Sequence, residues 1–155
     1  MKSFYIVLCV LVGVALCPKK TDLVDVSANY SGSYTFFVKG EVENLESVSV
    51  IQNGDEKIVV CEIERADEIK KVIKGEIRGE SFCTTGDKGL IDEIASFLSA
   101  KIVKKGYVGE IFCAYLYAPS LNSESLDLFN TKVNLQIAVS GDTVTVGCPI
   151  ILGDY

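Results

Sequence analysis

The stretch that decides the fold covers residues 132–148 and reads KVNLQIAVSGDTVTVGC. Val133, Leu135 and Ile137 alternate with polar residues, and a second alternating run follows the small polar turn at residues 140–142. A period of two is typical of strands with one buried face. The pattern therefore predicts a C-terminal β-hairpin, with strands at residues 132–139 and 143–148.

Similar runs upstream predict further strands. Residues 34–38 are rich in aromatic and branched side chains. Residues 47–51 and 57–63 flank an Asn-Gly pair at residues 53–54, which favours a tight hairpin turn. Residues 107–117 are apolar on both faces, as in a central strand. These segments predict a mainly β fold in which two small sheets pack face to face; an α+β fold is the alternative.

One segment, residues 87–105, has the spacing of an amphipathic helix. Asp87 can cap its first turn, and the lysines near its C-terminus suit the negative end of the helix dipole. Gly106 can adopt the left-handed conformation that ends a helix. A weaker helical turn is predicted at residues 67–73. The apolar stripe, which we expect to pack on the sheet, consists of Leu90, Ile91, Ile94, Phe97, Leu98 and Ile102.

The N-terminus has the pattern of a secretory signal peptide. Lys2 precedes an apolar run at residues 4–16, which is shorter than the roughly 20 residues that a membrane-spanning helix needs. We predict a signal peptide at residues 1–15, with cleavage after residue 17 as the alternative, and a single mature domain at residues 16–155. The protein is then secreted, or lumenal within the endo-lysosomal system.

The chain has six cysteines, and whether they form disulfides depends on whether the protein is secreted. In an oxidising compartment, an even set inside the domain predicts two disulfides, with three pairings open. Cleavage after residue 15 keeps Cys17 as a fifth cysteine. Asn29 begins the only N-x-S/T sequon, so a glycan is predicted there. The four cysteines inside the domain are Cys61, Cys83, Cys113 and Cys148.

Composition excludes several classes of function. The chain has no histidine, which removes Ser-His-Asp triads, Cys-His pairs and His-ligated metal sites. Its formal net charge of -6 and its pI near 4.7 disfavour nucleic-acid binding, which needs a basic face. Its carboxylates mostly occur in runs beside lysines, as on a solvated surface. We therefore predict no catalytic residue, no metal site and no cofactor.

Apolar side chains on both faces of the strands raise the question of an internal cavity. Two sheets that are slightly parted leave a slot that favours an acyl chain or a sterol, at about 0.8 kcal/mol per buried CH₂. The same residues could instead fill the core and leave no slot. The residues predicted to line the slot are Phe36, Val38, Val60, Ile111, Leu116, Val133, Leu135, Ile137, Val144 and Val146.

The C-terminal third resembles a known family. Residues 105–119 read KGYVGEIFCAYLYAP, and a long strand, a small polar turn and a strand carrying Cys148 follow. This order is similar to the ML lipid-recognition domains, and most of all to their ganglioside-activator branch. The resemblance implies an immunoglobulin-like β-sandwich with a lipid slot between its two sheets. It also implies that Cys148 pairs with a cysteine at the mature N-terminus, for which Cys17 is the candidate.

Two functions remain open. The first is a secreted, non-enzymatic lipid-binding or lipid-transfer protein that holds an apolar ligand in the slot. The alternative is a secreted interaction module with a filled core, such as an adhesion domain, a host-directed effector or a protease inhibitor. Its affinity would lie in the turn at residues 53–55 and in the unusually apolar loop at residues 119–130, where a protein partner is predicted to bind.

Overall fold

A computed structural model describes residues 19–42, 46 and 48–153 of the 155-residue chain. The predicted signal peptide, its cleavage site and Cys17 lie outside the described residues. Within the part of the chain that is described, no helix has both the length and the apolar character needed to cross a bilayer.

The chain is mainly β, as predicted, with 50% strand and 18% helix. Within the described residues, the α-helices are α1 (Leu23–Ser27), α2 (Ala66–Val72) and α3 (Gly89–Phe97), and a 3-10 turn covers Ile63–Arg65. The strands are β1 (Gly32–Lys39), β2 (Ser49–Asn53), β3 (Glu56–Glu62), β4 (Glu76–Thr85), β5 (Lys101–Val108), β6 (Ile111–Tyr117), β7 (Leu126–Leu128), β8 (Thr131–Val133), β9 (Leu135–Ser140) and β10 (Thr143–Cys148).

In the part of the chain that is described, two antiparallel sheets form, which is consistent with the predicted β-sandwich, but they are unequal in size. The larger sheet has eight strands in the order β2-β3-β1-β4-β10-β9-β6-β5, whereas the smaller one pairs only β7 with β8. Side chains of α1, α2 and α3 join one buried cluster with one face of the larger sheet. We call this the inner face and the opposite one the outer face.

The core lies between the inner face and the helices. The rings of Tyr34 and Phe36 have centroids 4.8 Å apart, and those of Tyr34 and Phe82 are 6.5 Å apart. All three side chains are at most 1% exposed, as are Leu23 on α1 and Ile94 on α3. Aromatic contacts of this kind stabilise a core beyond the area they bury. The helices therefore close the inner face against solvent.

Both predicted hairpins are confirmed. β9 and β10 pair around Gly141, which takes the positive φ of 61° that a tight turn requires. β2 and β3 pair around Gly54, which has a φ of 60°. The weaker helical turn predicted near residues 67–73 is also present, as α2.

The predicted helix at residues 87–105 is wrong beyond Phe97, where α3 ends. Ser99 takes a positive φ of 49°, so the chain leaves the helix there and not at Gly106. Phe97 is 59% exposed and does not belong to the buried stripe. Ile102 and its neighbouring lysines lie on β5, an edge strand, where Ile102 is half-buried and the lysines are exposed.

The strand predicted at residues 107–117 is divided in two. Gly109 forms a turn at a φ of 62°, so Tyr107 and Val108 belong to β5 and the rest forms β6. β6 lies between β9 and β5, and is thus an internal strand as predicted.

No sequence pattern indicated β4, although it lies near the centre of the larger sheet and pairs with both β1 and β10. Its sequence, EIRGESFCTT, shows little apolar alternation, because Glu80, Ser81 and Thr84 are polar and yet buried. Buried polar groups need hydrogen-bond partners, and these come from distant parts of the chain. The short helix α1 was not predicted either.

Candidate functional site

The residues predicted to line a lipid slot form a filled core, which is the second arrangement that the sequence left open. Two of the ten residues are exceptions. Val60 lies half-buried on the outer face of the larger sheet, and Ile111 packs against a second, smaller cluster of buried residues. Helix side chains such as Ile91 and Ile94 join the main cluster over the inner face. The other eight predicted residues are 0% exposed: Phe36, Val38, Leu116, Val133, Leu135, Ile137, Val144 and Val146.

A cleft of about 690 Å³ opens beside β4, and none of the ten predicted residues lines it. We call it the β4 cleft. Two smaller cavities, of about 340 and 270 Å³, flank Tyr30. The apolar walls of the β4 cleft are Ile77, Leu126, Pro149, Ile150 and Leu152, and its charged residues are Lys20, Glu56, Glu76, Arg78, Glu80 and Glu124.

The cleft exists because β10 stops before β4 does. The last residue pair between the two strands is Cys148 opposite Glu80. Pro149 follows, and it has no N–H with which to continue the ladder. The chain then leaves the sheet, and the Ile151 N–H donates to the side chain of Gln136 at 3.2 Å. The first half of β4 is thus paired with β1 on one side and faces a gap on the other.

The floor of the cleft carries a buried ion pair. The Glu80 side chain is 7% exposed, and it accepts hydrogen bonds from Lys70 Nζ and from the Tyr34 hydroxyl, each at 2.8 Å. Lys70 Nζ also lies 3.4 Å from a carboxylate oxygen of Asp22. Asp22 in turn accepts a hydrogen bond from the Asn122 side chain at 2.8 Å. This network joins α1, α2, β1, β4 and the 119–130 loop.

The contacts within this network determine the protonation states of Lys70 and Tyr34. Burial alone would lower the pKa of Lys70, but its hydrogen bond and charge interactions with Glu80 and Asp22 outweigh that effect and raise it. Burial, and then the charge of Glu80, raise the pKa of Tyr34. Lys70 therefore carries its charge at neutral pH, and the Tyr34 hydroxyl stays protonated.

Cys148 contributes a thiol to the same cleft, but the thiol is poorly suited to nucleophilic chemistry. Burial, reinforced by the charge of Glu80, raises its pKa to about 12. A thiol reacts as its thiolate, so Cys148 is inert near neutral pH. Burial raises the pKa of Cys61, to about 11, and that of Cys113 in the same way.

No disulfide joins any two of the four cysteines inside the domain, and the strand register shows why. Cys83 and Cys113 lie in one row on the outer face, but β10 and β9 separate them. Three inter-strand steps amount to about 14 Å, whereas the Cα atoms of a disulfide lie within about 7 Å. Cys61 and Cys148 share the inner face and are also three strands apart.

Every other combination of the four would join opposite faces of the sheet. The structure therefore corrects the prediction of two disulfides among them. The pairing of Cys148 with Cys17, which the family resemblance implied, stays a prediction because Cys17 lies outside the described residues.

The raised pKa of Cys148 leads to a prediction at alkaline pH. The thiol ionises near 9.0 in the unfolded chain and near 12 in the fold, so the folded state holds its proton longer. Its contribution to stability is complete below pH 9 and is lost as the pH rises towards 12. We expect the free energy of unfolding to fall by about 2 kcal/mol through this group between pH 8 and pH 10.5.

Urea denaturation at pH 8, 9 and 10.5 measures this loss. Cys148→Ala should remove about 2 kcal/mol of the pH dependence, whatever its effect on stability at pH 8. Equal pH dependence in the two proteins would show that the thiol does not titrate in this way.

The 119–130 loop, where a protein partner was predicted to bind, forms one wall of the β4 cleft through Asn122, Ser123, Glu124 and Leu126. Phe129 lies elsewhere: its ring is 5.1 Å from that of Tyr115, and Lys104 Nζ lies 4.3 Å above it. The turn at residues 53–55 reaches the cleft only through the adjacent Glu56. Asn29, the predicted glycan site, is exposed just after α1.

Comparisons with known proteins add no assignment. No family model, no curated protein and no solved structure matches this chain. The resemblance to the ML domains therefore stays a prediction.

Proposed function

We propose that this protein is a secreted, non-enzymatic binding protein with a filled core, and that its ligand occupies the β4 cleft. The observation that carries the proposal is the cleft itself. Its volume of about 690 Å³ falls within the range of small-ligand sites, and it combines apolar walls with a buried ion pair at the floor. A few fixed polar groups in an apolar setting are what orient a bound ligand.

The charges of the cleft indicate what kind of ligand fits. Arg78 is already paired with Glu76 at 3.0 Å, and Glu80 with Lys70. Within the described residues, Glu56 and Glu124 form no ion pair, and Lys20 is bonded only to the carbonyl of Pro119. Two carboxylates and one ammonium therefore remain without an ion-pair partner, and the net charge of the cleft is negative. A ligand that is largely apolar and carries a basic group would match both the walls and these carboxylates.

A non-catalytic role is supported by the chemistry available at the site. The chain has no histidine, and the Cys148 thiol is held protonated. Across residues 19–42, 46 and 48–153, no group of three or more Cys, Asp or Glu side chains is placed to hold a metal ion. The carboxylates of Glu80 and Asp22 both interact with Lys70 Nζ, at 2.8 and 3.4 Å, so they are engaged in ion pairs.

Lipid binding is a second candidate, and the apolar wall of the cleft favours it. Ile77, Ile150 and Leu152 could hold an acyl chain, so a lipid would lie in the β4 cleft and not between the sheets. Native mass spectrometry of protein purified without detergent would detect a co-purified lipid. Mass spectra that show only the unliganded chain would remove this candidate.

The proposed site can be tested with a neutral apolar dye, 1-N-phenylnaphthylamine. We expect one dye molecule to bind per protein, with its affinity lowered at least tenfold by Leu152→Asp, because a carboxylate in the apolar wall must be desolvated. Leu152 is 45% exposed, so the substitution should change stability little.

Val108→Asp is the matched control, since Val108 is 54% exposed on β5 and does not line the cleft. It should leave dye affinity unchanged. Dye binding that is absent, or that responds equally to the two substitutions, would contradict a binding site in the β4 cleft.

A further inference from the structure

We infer that the ligand of the β4 cleft is an extended peptide segment that adds as a strand to the open half of β4. This inference rests on the proposed function, because it takes the β4 cleft as the binding site. It adds the mode of recognition, in which the backbone of the ligand is bound as well as its side chains.

The first step concerns the backbone of β4. On the side facing β10, the last paired residue is Glu80. From Glu76 to Gly79, β4 pairs only with β1, and no other described segment hydrogen-bonds to this backbone. An unpaired strand edge is a template for another strand, and peptide recognition commonly uses it.

The second step concerns the local distortion of β4. Phe37 lies opposite Gly79, and Val38 lies opposite Ile77, so Arg78 is an extra residue in the ladder. Such bulges bend a strand and are frequent beside functional sites. The open stretch of four residues is about 13 Å long at the rise of a strand. That length suits a peptide segment of about four residues.

The third step concerns the walls. A bound strand would place alternate side chains on opposite sides of the sheet. On one side it would meet Leu152, which packs against Gly79, and on the other the region of Cys148 and Ser123. Alternating pockets of this kind supply the specificity in strand addition. The carboxylates of Glu56 and Glu124 lie at the cleft and favour a lysine or arginine in the peptide.

The two outer edges of the sheet differ from this site. β5 carries three lysines and an irregular pairing near Ile102, which are features that discourage strand addition. β2 is exposed along its whole length and lines none of the described cavities. At β4, an open strand edge lies beside a cleft whose walls come from other segments of the described chain.

The inference is tested with a phage-displayed library of random heptapeptides selected against the full chain. We expect enriched peptides to contain a lysine or arginine, and to bind at least tenfold more weakly to the Leu152→Asp variant but equally well to Val108→Asp. Glu124→Gln should weaken binding about threefold, and more so at low salt.

Synthetic N-methylated versions of one selected peptide then test the backbone. In a strand, the N–H groups of alternate residues point to the same side. Methylation should therefore weaken binding at least tenfold at alternate positions and less than twofold at the positions between them.

Equal tolerance of methylation at every position would overturn strand addition, as would failure to select any peptide. If the dye still bound in a Leu152-dependent way, the proposed binding site would stand; loss of both would end both proposals.

Discussion

Replacing Glu80 with alanine is expected to lower the free energy of unfolding by about 3 kcal/mol, because the largely buried ammonium of Lys70 loses the nearer of its two carboxylate partners. Lys70 Nζ, whose side chain is 23% exposed, would lose a carboxylate at 2.8 Å and keep only the more distant Asp22. The Tyr34 hydroxyl would lose its acceptor in the core. Urea denaturation followed by circular dichroism measures the effect.

Glu76→Ala is the matched control, since it removes a carboxylate from the same strand. Its ion pair with Arg78 is solvent-exposed on both sides, at 62% and 47%, and such pairs contribute less than about 1 kcal/mol. The double variant Glu80→Leu with Lys70→Met should recover part of the lost stability, because it removes both buried charges. If Glu80→Ala and Glu76→Ala lowered the free energy of unfolding equally, the floor of the cleft would be as solvated as the surface.

The predictable part of this fold is the part governed by local patterns. The C-terminal hairpin follows from strict alternation on both sides of Gly141, and β2–β3 follows from an Asn-Gly turn. In both, adjacent residues determine the turn and the buried face. The end of α3 was not predictable in this way, because the apolar spacing of a helix continues through Ile102, which lies on the edge strand β5.

The candidate site was not predictable because it depends on long-range pairing. Glu80 is one of many acidic residues in the sequence, and nothing nearby indicates that Lys70 and Tyr34 will reach it from α2 and β1. The cleft arises from a difference in length between β4 and β10, which are distant in sequence. The one available signal was the apolar 119–130 loop, which does form a wall of the cleft.

The position of the cleft changes how the apolar strands are interpreted. Apolar side chains on both faces of the strands suggested an internal lipid slot, but the helices cover the inner face and the aromatic rings of β1 and β4 pack together there. The apolar residues thus stabilise the scaffold, while ligand contacts are expected at the open end of β4. The two roles can be separated by mutating each set of residues and measuring stability and binding independently.

Phe36→Ala is the second large effect that we expect, with a loss of about 3–5 kcal/mol in the free energy of unfolding. Phe36 is 0% exposed, and its ring contacts that of Tyr34 at a centroid distance of 4.8 Å. In a filled core, truncation removes this contact area and leaves a cavity. If Phe36 lined a lipid slot, truncation would enlarge an existing space, and the loss of stability in the ligand-free protein would be much smaller.

Val60→Ala provides the comparison, since Val60 was assigned to the same slot but lies half-buried on the outer face of β3. We expect Val60→Ala to lower the free energy of unfolding by about 1 kcal/mol or less. Dye binding distinguishes the two models independently of stability: at a temperature where Phe36→Ala remains folded, its affinity for 1-N-phenylnaphthylamine should match that of the wild-type protein, because the β4 cleft is unchanged. A large change in dye affinity with little loss of stability would place the ligand between sheet and helices after all.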